Sequence, residues 1–241
     1  MKAFRIIISL LLVALIGVIG YVGCFSGDAF KYLPAFQSQT DSEIQGKTVV
    51  FLGSSITNGF GSYNISFVDY LTNTYKVNAI KEAVNGTTLV DNGSDSYVAR
   101  LKKLDPNMNV QMVVCQLSTN DAEKNMPLGE IGNMYSIESF DTSTVAGAME
   151  YIICYCEDTW NCPVGFYTSF KYDSPEYEEM YQLLLKIQEK WHLPVLDFWT
   201  NEELNSHDKR MHMIDDIHPT LVCYRDDMTP MFYDFILENT N

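Results

Sequence analysis

A serine pair, an aspartate–histidine pair, a glycine and an asparagine are the residues of this chain whose types and spacing can do chemistry together. Ser54 and Ser55 follow Gly53 at the end of the apolar stretch VVFL. Acyl transfer needs a nucleophile, a base, a group that orients the base, and donors for the developing oxyanion. A serine on a tight turn between a strand and a helix exposes its hydroxyl and has a backbone N–H with no intrahelical partner. The base has to be a histidine, and there are four: His192, His207, His212 and His218. His192 closes an amphipathic segment beside Trp191 and Leu193 and suits packing. His207 and His212 lie in a polar loop among charged neighbours. His218 has Asp215 three residues before it, close enough for a local turn to set the carboxylate on a ring nitrogen, and Pro219 stiffens the chain just beyond. Ser55 can supply its own N–H to the oxyanion. Gly86 can approach closely for want of a side chain, and Asn120 can offer its amide.

Taken singly, each of these residues has a plainer explanation. Ser54 or Ser55 can cap a helix. Gly86 and the Asn120-Asp121 pair can be turn residues. Asp215-x-x-His218 can be a loop hydrogen bond, or with His207 and His212 a metal site, although nothing holds those histidines at helical spacing. A phosphate-binding loop is excluded, because GSSITNGF lacks the Gly-Lys-Ser/Thr that cradles nucleotide phosphates.

The elements that must position these groups alternate along the chain. Lys47 to Leu52 is a continuous β-branched and apolar run, as in a strand buried on both faces. Further strands are expected at Val77 to Ala83, Val110 to Leu117, Pro163 to Tyr167 and Leu193 to Phe198. Between them, helices are expected at Phe67 to Tyr75, Ser96 to Leu104 and Thr144 to Cys156, the last capped by Asp141 or Thr142. Pro175 to Trp191 is the clearest amphipathic helix, and residues 221 to 238 form a closing one. Strands separated by helices imply an α/β fold with a parallel sheet covered on both faces, and ligands bind beyond the carboxyl ends of its strands. Ser54-Ser55, NGTT (85–88) and STND (118–121) each follow a strand, and DDIHP (215–219) precedes the last helix. All four clusters can therefore meet at one edge. Residues 122 to 140 read as an irregular insertion at that edge.

With those clusters in order, the sequence resembles the SGNH (GDSL-type) hydrolases, a family of esterases, lipases and carbohydrate acetylesterases. GSSIT is similar to the family's GDSIT or GDSLT block, NGTT to its glycine block, STND to GxND, and DDIHP to DxxHP, across roughly residues 47 to 238. The resemblance implies a three-layer α/β/α sandwich, of SGNH or flavodoxin-like type, with no metal or other cofactor. It implies Ser55 as nucleophile, His218 as base, Asp215 as its partner, and Gly86 and Asn120 beside the Ser55 amide in the oxyanion hole. Two positions depart from the pattern: Ser54 stands where Asp is common, and Ser118 where Gly is. Asp121 is given only a supporting role in its loop.

The first 25 residues are of another kind. Lys2 and Arg5 precede an uncharged, mostly apolar run from Ile6 to Phe25, about the length needed to span a bilayer. An uncleaved membrane anchor is expected, with a lipidated Cys24 as the alternative. Either way the positive charge stays inside and the domain faces outward. Residues 26–46 read as a spacer and 47–241 as the hydrolase domain. The remaining cysteines, Cys115, Cys154, Cys156, Cys162 and Cys223, show no zinc or disulfide framework. Asn64, Asn85 and Asn92 fit the glycosylation pattern and are read as unmodified. A formal net charge of -15 argues against a nucleic-acid partner. The expected activity is hydrolysis of a small-molecule or glycan ester, with a short-chain or carbohydrate O-acetyl ester as the expected substrate. An O-acyltransferase with the same triad and an inactive glycan-binding surface module are the alternatives.

Overall fold

The computed structural model describes residues 8, 9, 11–17, 32–133, 135–207 and 209–240. The chain divides into two compact units, Met1–Ser38 and Gln39–Asn241. In the first, residues 8, 9 and 11–17 are helical and Pro34–Phe36 form a 3-10 turn. The rest of the expected anchor, Cys24 included, lies outside the described residues. No helix among the described residues is long and apolar enough to cross a membrane.

The second unit begins before Lys47, so the end of the expected spacer belongs to the domain. Ile44 is fully buried, the N–H of Thr40 donates to Thr74 O (2.8 Å), and the N–H of Gly46 donates to Lys76 O (2.9 Å). An apolar side chain and paired backbone groups tie this segment down, where composition alone suggested a linker.

Five parallel strands form one sheet in the order β2-β1-β3-β4-β5: β1 Thr48–Gly53, β2 Asn78–Ala83, β3 Met112–Gln116, β4 Val164–Tyr167 and β5 Val195–Leu196. Alternation along the strands divides the core in two. Val50, Leu52, Val113, Cys115, Val164 and Phe166 enter one cluster, while Val49, Phe51, Met112, Val114 and Tyr167 enter the other. Because successive side chains point to opposite faces, burial of both faces requires the unbroken apolar runs seen in the sequence.

Helices α1 Ser55–Asn58, α2 Phe67–Tyr75, α3 Tyr97–Leu101, α4 Thr119–Glu123, α5 Val145–Trp160 and α6 Pro175–Trp191 come in turn between the strands. The chain then passes through α7 Glu202–Asn205, α8 Lys209–His212 and α9 Leu221–Cys223. A π turn at Tyr224–Met228 leads into α10 Thr229–Asn239. The first cluster takes side chains from α3, α5 and α6, and the second from α2 and α10, which gives the three layers. The cap of α5 is Thr144, whose hydroxyl accepts from Gly147 N–H, not Asp141 or Thr142. All five described cysteines are free and buried.

The segment from 122 to 140 is less irregular than its composition suggests. Helix α4 reaches into it, and a buried ion pair anchors the remainder. Glu150 of α5 is fully buried and pairs with Lys190 of α6. The same carboxylate accepts from Trp191 Nε1 (3.1 Å) and from Gly132 N–H (2.7 Å), while Lys190 Nζ donates to Gly132 O (2.7 Å). Tyr135, Phe140 and Trp191 surround the ammonium with their rings.

Candidate active site

β1 ends at Gly53 because no side chain fits there. A Cβ on Gly53 would lie 1.7 Å from Thr57 Oγ1 and 2.9 Å from Gln116 Oε1. The close approach lets one amide oxygen organise the turn: Gln116 Oε1 accepts from Ser54 N–H (3.0 Å) and Thr57 Oγ1 (2.8 Å). Ser54 then faces inward. It is fully buried, and its hydroxyl faces that of the equally buried Tyr97, with no other polar partner for either. Ser55 is the first residue of α1, with an N–H that no intrahelical carbonyl can take.

Ser55 Oγ lies 2.9 Å from His218 Nε2. The opposite ring nitrogen, Nδ1, is 2.8 Å from Asp215 Oδ2 and 3.0 Å from Oδ1. Asp215 holds its own turn as well, Oδ1 accepting from the N–H groups of Ile217 (2.8 Å) and His218 (2.7 Å). An aspartate that bonds backbone N–H groups two and three residues on is a local turn device. Here it also presents the carboxylate to the ring. Burial pushes the Asp215 carboxyl up, but bonds from the His218 ring and from the Ile217 and His218 N–H groups outweigh it. The group is held below its ordinary range. In the tautomer that donates Nδ1–H to Asp215, Nε2 turns a lone pair to Ser55 Oγ, an arrangement able to take its proton. Phe60 packs over the imidazole at 4.8 Å between centroids.

His218 sits on a small hairpin. Met213 and Pro219 form an antiparallel bridge, Ile214 N–H donates to His218 O (2.7 Å), and Ser62 Oγ donates to Pro219 O (3.0 Å). At the end of β2, Gly86 has φ +76° and open space where a Cβ would be. Its carbonyl is fixed by Lys124 Nζ at 2.7 Å. The Asn120 Nδ2 is buried with no hydrogen-bond partner. The four sequence clusters therefore lie at the ends of β1, β2 and β3 and on the hairpin before α9.

The sequence matches the GDSL-like lipase/acylhydrolase family over residues 51–225. The chain belongs to that family. Solved structures with this fold include a protein from Lactobacillus plantarum, with TM-score 0.67 and 16% identity over 81% of this chain and 99% of that one. An acetylxylan esterase from Geobacillus stearothermophilus has TM-score 0.57 and 16% identity over 81% and 96%. A member of the lipolytic G-D-S-L family from Veillonella parvula has TM-score 0.57 and 14% identity over 80% and 97%. No curated protein matches the chain.

As a GDSL-like hydrolase the protein is an enzyme acting on ester bonds. Its two departures from the family pattern are absorbed locally. Ser54 fills a buried position without a charge, and Ser118 caps α4, its hydroxyl accepting from Asp121 N–H at 3.3 Å. Three residues whose contacts no motif discloses shape this GDSL-like site. Asp121 is fully buried and accepts from the N–H groups of Leu89 (2.7 Å) and Val90 (3.0 Å), tying the third loop to the second. Burial raises its carboxyl above the ordinary range, against the pull of those bonds. The guanidinium of the buried Arg100 donates to Gly53 O (2.7 Å), Asp95 O (2.9 Å) and Glu82 O, clamping the ends of β1 and β2. Gln116, the third, organises the serine turn. The signals were faint but present: one polar residue closing the most apolar strand, and one arginine on the apolar side of a helix.

Proposed function

We infer that the protein hydrolyses carboxylic esters through an acyl-serine intermediate formed on Ser55. The observation that carries this is the unbroken hydrogen-bond chain from Ser55 Oγ through His218 to Asp215. Ser55 Oγ attacks the ester carbonyl carbon as its proton passes to His218 Nε2. Charge on the carbonyl oxygen is received by the Ser55 and Gly86 N–H groups and by Asn120 Nδ2, donors that strengthen as charge develops. His218 then gives its proton to the departing alcohol; it takes a proton from water as the water oxygen attacks the acyl carbon, and returns it to Ser55 Oγ as that bond breaks and the acid leaves. Asp215 keeps the imidazole in the required tautomer and offsets its charge while it is protonated.

The proposed substrate is a short-chain ester, in particular an acetyl group on a carbohydrate. Support comes from the family and from the similarity in fold to an acetylxylan esterase. The proposed location is outside the cell membrane, tethered through residues 6–25, on the strength of the charged and apolar N-terminal pattern. Fluorophosphonate labelling of the folded protein, followed by peptide mass spectrometry, tests the central point. The expected adduct is on Ser55, and no labelled serine in a folded sample would overturn the enzymatic assignment. A panel of p-nitrophenyl esters tests chain length, where preference for long chains counts against the acetyl proposal. Protease treatment of intact cells tests location, since an outward domain is digested without lysis.

A further inference from the structure

A second cluster lies at the foot of the hairpin that carries Asp215 and His218. We propose that His207, His212 and Asp227 form a site for one divalent transition-metal ion, of zinc-like chemistry, which braces the base of that hairpin.

The donor set favours such an ion. Two imidazoles and a carboxylate suit zinc and its first-row neighbours, whereas calcium and magnesium require oxygen ligands. One donor atom from each of the three residues lies within 4.8 Å of the other two. Ligands around a tetrahedral ion at 2.0–2.2 Å are about 3.3–3.6 Å apart. His207 Nδ1 is 3.7 Å from Asp227 Oδ2, close to that spacing. His212 Nδ1 is 2.5 Å from the same oxygen, the direct hydrogen bond expected where a proton takes the ion's place. An ion would replace the proton and open this contact by about 1 Å.

Two further observations point to a ligand. His207 Nδ1 is buried and makes no hydrogen bond, and a buried polar atom without a partner is costly unless something supplies one. The three side chains also line a cavity of about 10 Å³, whose lining includes Phe170, Leu204 and Cys223 and the charged Lys171 and Asp216. That is room for one water or one ion and for no organic ligand. Asp227 reaches the cluster from the π turn at Tyr224–Met228, a rare irregularity that recurs at functional sites.

The site connects to the hairpin through the backbone. The carbonyl of His212 accepts from Thr220 N–H at 2.9 Å, next to the Met213–Pro219 bridge. An ion on His212 therefore fixes one end of the stem whose tip bears Asp215 and His218, while Asp227 fixes it against the start of the last helical segment. The ion is structural and stands apart from the acyl-transfer steps.

The test uses the full-length protein, dialysed against EDTA and then chelator-free buffer, and titrated with zinc chloride by calorimetry. One ion per chain is expected, with a matching rise in Tm, since a ligand bound only to the folded state stabilises it. His207→Ala is the informative variant, because the His212–Asp227 bond that helps hold the fold remains. It should weaken zinc by about 100-fold or more, beyond what loss of an outer partner costs, and abolish the zinc-dependent Tm rise. Asp227→Asn keeps an acceptor for His212 and should weaken zinc as well. Ser55→Ala should bind as wild type does. Absence of binding, or equal affinity in wild type and His207→Ala (as when buried thiols hold the ion), overturns the proposal.

Discussion

Asn120→Ala separates an oxyanion donor from a structural asparagine, because the two roles move activity and stability in different directions. In the resting protein Asn120 Nδ2 is buried without a partner. Its removal breaks no hydrogen bond and relieves the cost of keeping an unpaired donor from water, about 1–3 kcal/mol. Lost contacts of the small side chain offset part of that relief. Tm should therefore hold or rise by a few degrees, at roughly 2–4 °C per kcal/mol for a domain of this size. The transition state, in contrast, loses a donor that acts only once the carbonyl oxygen is charged. One such donor is worth about 10²–10³ in kcat, roughly 2.7–4 kcal/mol, with KM little changed. The assay is steady-state hydrolysis of p-nitrophenyl acetate alongside a thermal melt of the same preparation. Reduced kcat with undiminished Tm is the expected pair. Nearly full kcat refutes the donor role, and a fall in Tm that accompanies the fall in kcat shows that Asn120 supports the loop instead.

The same geometry leads to three more outcomes. Ser55→Ala should abolish turnover while Ser54→Ala keeps most of it, because the Ser54 hydroxyl is fully buried and faces only the Tyr97 hydroxyl, away from His218; the reverse pattern in ester hydrolysis places the nucleophile one residue earlier. Asp215→Asn should lose stability only at higher pH: a carboxyl held below its unfolded value of about 3.8 stabilises the fold above that value, and the contribution disappears as pH falls through the lowered folded one. Urea midpoints of wild type and variant should therefore draw together as pH falls from about 3.8 through the lowered folded value, and a gap that does not narrow over that range contradicts the linkage. Lys190→Met should cost about 3–5 kcal/mol by leaving the Glu150 carboxylate buried without its cation, a loss that the double variant Glu150→Gln/Lys190→Met should largely recover; an unchanged denaturation midpoint in the single variant would show that the pair is not what anchors residues 122–140.

The fold was legible because its determinants are periodic. β1 announces itself by an unbroken apolar run and α6 by apolar residues spaced three to four apart, and the structure sets their boundaries at Thr48–Gly53 and Pro175–Trp191. Boundaries were harder where tertiary contacts decide. β5 shrinks to Val195–Leu196 at the sheet edge, and α3 stops at Leu101 although the apolar spacing continues to Leu104. Residues 39–46 carry one apolar side chain that matters, Ile44, and hydrogen bonds made by backbone, which has no sequence signature.

The site divides along the same line. Ser55, Gly86, Asn120, Asp215 and His218 could be named because each lies in a short block at a strand end or before a helix. What holds them could not be read in that way. Asp121 looks like a turn residue beside Asn120, yet its carboxylate joins two loops separated by about thirty residues through backbone N–H groups of Leu89 and Val90. Such a bond depends on where the chain returns in space, and any residue type can offer the N–H. Arg100 is the same case in reverse, one side chain recruiting the carbonyls of Gly53, Glu82 and Asp95. Reactive groups are chosen by chemistry, which restricts residue type; their supports are chosen by reach, which does not. Arg100→Lys retains the charge but cannot span three carbonyls with a planar fork, so the positioning residues tolerate chemically conservative change less well than their inconspicuous sequence context implies.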